Sequence, residues 1–213
     1  PGNYVRDSND RQGYALAAGA AALWGTSGVV SKLLFRSVLR PMDVLSLRTI
    51  LAAIIILIWV SLSAPRLLRI RLRDLTYFAL LGVIGLAANQ YLYYVALDLT
   101  SVGFALLLQY TAPILLMIYG VLARTERITA GKLLAAGCSL IGCALMVLGH
   151  AGGMARISLP GVACALGGAV GFAFYSGYGK SGLSRFDGRT VLTYAFLFAA
   201  GVWLIMRPPW KMP

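Results

Sequence analysis

Gly25-Thr26-Ser27-Gly28 forms a G-x-S-G pattern of the kind that can present a nucleophilic serine. A serine attacks only when a base lies within hydrogen-bond reach. The single histidine, His150, comes after another apolar stretch and is expected at the outer edge of the molecule, too far from Ser27. Cys138, Cys143 and Cys164 sit inside apolar runs with no ligand-like spacing to His150, so neither a disulfide framework nor a zinc site is indicated. With no assembled acid, base, nucleophile or metal cluster, neither enzyme activity nor a bound cofactor is expected.

Polar and aromatic groups set within apolar sequence suggest binding instead. Trp24 and Ser27, flanked by Gly25 and Gly28, fall mid-way along the first apolar stretch, far from the interfacial belt that tryptophan favours. Glycines there let another helix approach, or expose backbone groups as transporter sites do. Asn89, Gln90, Tyr91, Tyr93 and Tyr94 crowd one segment. At 3.6 residues per turn, Gly82, Gly85, Asn89 and Tyr93 share one helix face, and Gln90 and Tyr94 a neighbouring one. Gln109 and Tyr110 precede Pro113, whose missing N–H leaves the Gln109 carbonyl without its helical partner. Gly167 and Gly171 have the G-x-x-x-G spacing of close helix packing, with Tyr175 and Tyr178 further along. Trp24, Ser27, Asn89, Gln90, Tyr94, Gln109, Tyr110 and Tyr175 are therefore the expected substrate contacts. The competing role for these amides is an interhelical hydrogen bond that only fixes packing.

Composition shows how such residues are held. Of the 213 residues, 59% are hydrophobic and 12% charged, about half the charge of a soluble domain, and the mean hydropathy is +0.78. The net charge of +12 therefore concerns the bilayer rather than nucleic acid. Seven stretches approach the roughly 20 residues needed to cross the hydrocarbon core. They are Tyr14–Phe35, Val44–Ser63, Tyr77–Leu97, Ser101–Ala123, Ala130–Gly149, Leu159–Tyr178 and Arg189–Met206. Under the positive-inside rule one side collects Arg6, Arg11, Arg66, Arg69, Arg71, Arg73, Arg124, Arg127, Lys132, Lys180, Arg185 and Arg189. The other has Arg36, Arg40, Arg48, Arg156, Arg207 and Lys211. The amino terminus is thus expected to be cytoplasmic, in a multi-pass protein of the cell membrane. Arg66, Arg69, Arg71 and Arg73 serve as a topology determinant and could meet anionic lipid headgroups. Lys32 and Arg48, near the outer face, are expected to snorkel. Asp7, Asp10, Asp43, Asp74, Asp98, Glu126 and Asp187 all fall in termini, loops or span ends. With no mid-membrane carboxylate in these spans, uncoupled or facilitated movement of a polar, partly aromatic solute suits them better than proton-driven pumping.

An offset of 148 pairs Gly13 with Gly161, Gly19 with Gly167 and Lys32 with Lys180. An offset of 147 lays Val44-Leu45-Ser46 on Val191-Leu192-Thr193. A five-span unit repeated once would stand upside down in the bilayer the second time, as in inverted-repeat transporters. Trp24-Gly25-Thr26-Ser27 with Lys32, the stretch Pro41 to Arg48, Tyr94-Val95-Ala96-Leu97-Asp98-Leu99-Thr100-Ser101, and Thr111-Ala112-Pro113-Ile114 followed by Arg124-Thr125-Glu126-Arg127-Ile128 resemble the EamA family of the drug/metabolite transporter superfamily. The resemblance implies ten helices in two inverted repeats, cytoplasmic termini and a central cavity. It also implies transport of amino acids, other metabolites or drugs, often outward. It matches the family glutamate after the fourth span to Glu126, which would organise the loop.

The resulting expectation is an all-α polytopic transmembrane bundle with seven spans of an expected ten. Residues 1–13 would form a cytoplasmic tail, 14–149 a complete five-helix repeat, 159–206 the first two helices of a second repeat, and 207–213 a truncated end. The partners would be a small-molecule substrate and membrane lipids, without nucleic acid. The span count alone also fits a seven-span receptor or retinal protein. However, the last stretch lacks a Schiff-base lysine, and the charge bias puts the amino terminus on the wrong side for a typical receptor.

Overall fold

The computed structural model describes residues 13, 15–16, 18–19, 22–23, 41–100, 102–122, 129–149 and 158–212. Every long element among them is helical. The main helices are α1 (Pro41–Ser63), α2 (Leu75–Leu80), α3 (Asn89–Leu99), α4 (Val102–Gln109), α5 (Ala112–Leu122), α6 (Ala130–Gly149), α7 (Leu159–Leu183) and α8 (Gly188–Met206). A π-helical stretch, Leu81–Ala88, joins α2 to α3, so Leu72–Leu99 runs as one long apolar segment. Five segments of the described residues are long and apolar enough to cross a membrane: Met42–Ser63, Leu72–Leu99, Gly103–Val121, Leu159–Leu183 and Gly188–Lys211. α6 adds a helix of 20 residues. The first expected stretch is described only at scattered helical positions, and Trp24, Ser27 and Lys32 lie outside the described residues.

Local chemistry sets the helix starts. Pro41 opens α1, where its missing N–H would have no helical partner anyway, and Asp43 stands in the first turn near the positive end of the helix dipole. Ser158 caps α7 by accepting from the Gly161 N–H at 3.1 Å, and Asp187 caps α8 by accepting from the Arg189 N–H at 2.8 Å.

The bundle is tied by antiparallel pairs. At one end of the α1–α8 pair, Ser46 Oγ donates to the Arg207 carbonyl (2.8 Å), and the Arg207 guanidinium lies 3.5 Å from the fully buried Asp43 carboxylate. At the other end, Thr190 and Tyr194 donate to the carbonyls of Leu67 and Leu68, at 3.0 and 2.7 Å. The segment from α2 to α3 runs antiparallel to α7. Tyr77 donates to the Tyr178 carbonyl (2.6 Å) near its start, and its Leu99 carbonyl accepts from Ser158 at its end (2.9 Å). The Arg66–Arg73 connection and the α7–α8 hairpin therefore share one end, where Asp74 pairs with Arg185 at 3.1 Å. That is the grouping of basic loops the short connections demand.

Two expectations from sequence need correction. The fourth expected stretch keeps its membrane-length span at Gly103–Val121, but that span is two helices, α4 and α5, joined by a turn at Tyr110-Thr111. Pro113 cannot donate back into α4, and the turn is closed instead by Thr111, whose N–H and hydroxyl both go to the Leu108 carbonyl, at 3.1 and 2.6 Å. The single face drawn through Gly82, Gly85, Asn89 and Tyr93 is also divided. Gly82 meets Ala195 and Phe198 of α8, whereas Gly85 meets Tyr175, Asn89 meets Gly171, and Tyr93 meets Gly168 of α7. The wider i→i+5 turns of the π stretch rotate the residues before Asn89 relative to those after it.

Candidate functional site

Asn89 opens α3 at the end of the π stretch, about 15 Å along the axis from Leu99 and so near mid-membrane. It is 5% exposed. Gly168 and Gly171 allow the backbones of α3 and α7 to come this close. A Cβ on Gly171 would lie 3.0 Å from Asn89 Cβ, and one on Gly167 would lie 3.2 Å from Leu92 Cδ1. The packing role read from Gly167 and Gly171 is thus seen directly. Gln109, the last residue of α4, donates from Nε2 to Asn89 Oδ1 at 3.4 Å, a long and weak bond.

Gln90 stands about 100° further round the helix and faces α1. Its Oε1 is 3.3 Å from Thr49 Oγ1, which also donates to the Leu45 carbonyl at 2.9 Å. One hydroxyl proton cannot satisfy both acceptors. With it on Leu45, the Gln90 amide would turn its NH2 towards Thr49, since oxygen and nitrogen placement in an amide is an assignment. The consecutive amides Asn89 and Gln90 thus tie α3 to α4 on one side and to α1 on the other. Thr49 belongs to this polar belt and is absent from the contacts expected from sequence. Its signal is a hydroxyl one turn beyond Leu45 in an otherwise apolar helix.

One turn further along α3, Tyr94 is buried with Leu45 and Trp203, and Tyr93 packs against the same cluster. The two tyrosine rings meet edge to face, 5.8 Å apart. Tyr110, in the turn after Gln109, is 50% exposed. Tyr175 stands apart from the amides, beside Gly85, and lines a cavity of about 260 Å³ with Leu81, Ser176, Lys180, Leu183 and Val191. The structure therefore brings Asn89, Gln90, Gln109 and Tyr94 together with Thr49, places Tyr110 at the margin and puts Tyr175 in a separate hollow. Among the described residues no group of three or more His, Cys, Asp or Glu could hold a metal.

A set of neutral amides, hydroxyls and phenols between antiparallel membrane-length helices can hydrogen-bond a polar solute without forming or breaking a covalent bond. The EamA-like transporter family matches residues 11–148. The chain belongs to this family. No curated protein and no solved structure matches it. As an EamA-like protein of the drug/metabolite transporter superfamily, it is a multi-pass membrane transporter. The matched residues include α1 to α5 and nearly all of α6, and so every member of the belt of amides and hydroxyls around Asn89.

Proposed function

We propose that this EamA-like chain moves small metabolites, such as amino acids or drug-like solutes, outward across the cell membrane by alternating access around a midplane site. Trp24, Ser27, Asn89, Gln90, Tyr94, Gln109, Tyr110 and Tyr175 are the proposed contacts, joined by Thr49. The observation that carries this reading is the inward aim of Asn89, Gln90, Gln109 and Thr49 at one level, bridging three helices rather than facing lipid. Polar groups at that depth are costly unless they serve each other or a solute.

The wider architecture belongs to the same proposal: seven spans of two inverted five-helix repeats, 14–149 and the opening of a second at 159–206, with a cytoplasmic amino terminus. The antiparallel course of α1 and α8, which correspond under the 147-residue offset, supports it, because an inverted copy must run in the opposite sense. Arg66, Arg69, Arg71 and Arg73 would lie against anionic headgroups at the cytoplasmic face.

Reconstituted in liposomes, the protein is expected to release preloaded radiolabelled amino acids or a cationic dye several-fold faster than protein-free liposomes. Release at the protein-free rate for every solute class would end the transport reading. Reporter fusions are expected to place residue 1 and the Arg66–Arg73 connection on the same, cytoplasmic side.

A further inference from the structure

Arg48 lies on α1 about 10 Å from the start of the helix. Snorkelling is the ordinary outcome for such a residue, yet the turn of α1 that precedes it packs inward, with Val44 and Leu45 buried. Leu45, three residues before it, packs on Tyr94 and Trp203, and Thr49, one residue after it, meets Gln90. Residues at i and i+3 share a helix face, which sets Arg48 about 60° round α1 from Leu45, on the side away from Thr49. It is half-buried, and its guanidinium interacts electrostatically with the hydroxyls of Tyr93 and Tyr94.

This cluster is rich in donors and poor in acceptors. Arginine offers five N–H groups and no acceptor. The indole N–H of Trp203, which is 1% exposed, has no hydrogen-bond partner among the described residues. Nor does Arg48 have a carboxylate partner among them. Asp43, one turn and a half back on the same helix, is engaged by Arg207, and Asp74 by Arg185. A cation held in a low-dielectric bundle without a counter-charge is costly, and a planar oxyanion that arginine can grip through two N–H groups relieves that cost. The single positive charge suits a monoanionic carboxylate rather than a phosphate dianion.

We propose that Arg48 is the specificity-determining residue of the transport site and receives the carboxylate of the solute, with the Trp203 indole and the Tyr93 hydroxyl as neighbouring donors. The polar belt at Thr49, Gln90 and Asn89 begins at the next residue of α1, at nearly the same depth, and would hold the remainder of the same solute. The proposal rests on the transport reading above and adds the chemical class of the solute.

The test compares, in proteoliposomes, counterflow of labelled phenylalanine, leucine and threonine with that of their carboxamides, which keep the amine and side chain but lose the carboxylate. The wild-type protein is expected to prefer the acids at least tenfold. Arg48→Lys should lower that ratio several-fold, because it keeps the charge but loses the fork, and Arg48→Gln should bring it near one. Because the ratio is internal to each preparation, a lower yield of folded variant does not affect it. Equal rates for acids and carboxamides in the wild type, or an Arg48→Gln ratio as high as wild type, would overturn the carboxylate assignment while leaving transport standing. No movement of acids, carboxamides or cationic dye by the wild type would remove both readings.

Discussion

Replacing Gly82 by alanine is expected to destabilise the protein by about 2 kcal/mol, within the range for a methyl group forced into a close-packed site. A Cβ built on Gly82 would lie 2.6 Å from the Ala195 carbonyl oxygen and 2.6 Å from Phe198 Cβ. The first of these is backbone of α8, so no rotamer change can clear it. To fit the methyl, the π stretch and α8 would have to separate along a seam that also holds Phe78, Leu81, Val191 and Ala195. A loss of this size should lower Tm by about 4–8 °C, measured by thermal unfolding in detergent. Gly142→Ala on α6 is the matched control. Its added methyl meets nothing within 4 Å, and alanine is the better helix former by about 1 kcal/mol. The expected order of stability is therefore Gly142→Ala at or above wild type, and Gly82→Ala well below. Equal Tm values for the two variants would mean that α8 does not bear on the π stretch as described.

The position of Gly82 also shows where sequence reading stops. Membrane-length apolar runs declare themselves through hydropathy, so the second, third, sixth and seventh stretches match α1, the α2–α3 segment, α7 and α8 to within a few residues. Pro113 signals a lost hydrogen bond, and the structure shows it as a two-residue turn at Tyr110-Thr111 within one span. The π stretch has no such marker. Leu81-Gly82-Val83-Ile84-Gly85-Leu86-Ala87-Ala88 is uniformly apolar, and nothing in it marks the wide turns that pack its glycines against Tyr175, Ala195 and Phe198. Assuming 3.6 residues per turn therefore puts Gly82 on one face with Asn89 and Tyr93, whereas Gly82 meets α8 and the other two meet α7.

Among the proposed contacts, the amides are legible because polar groups deep in apolar sequence have few places to point. Arg48 is not, because a charge near a helix start usually escapes to the interface. The proposal for it starts instead from the buried neighbours Leu45 and Thr49, whose contacts only the structure reveals. The buried Asp43 is likewise visible only as a span-end residue, since nothing local in the sequence announces Arg207, 164 positions away, as its partner.

Asn89→Leu and Gln109→Leu are expected to separate function from folding. Their mutual hydrogen bond is long, at 3.4 Å, and bonds of this type between membrane helices are worth about 0.6 kcal/mol on average. Leucine fills similar volume and leaves at most one amide without its partner, so Tm should move by only about 2 °C or less. If these amides grip the solute, each substitution removes donors and acceptors that water cannot replace inside a closed site, and the transport rate should fall about tenfold or more. The double variant should be no more than slightly worse than the poorer single, because the two side chains act as one contact. A purely structural pair would behave in the opposite way, with comparable small losses in Tm and transport. Wild-type transport by Asn89→Leu/Gln109→Leu would therefore reduce the pair to a packing device and shift the search for the solute towards the cavity beside Tyr175.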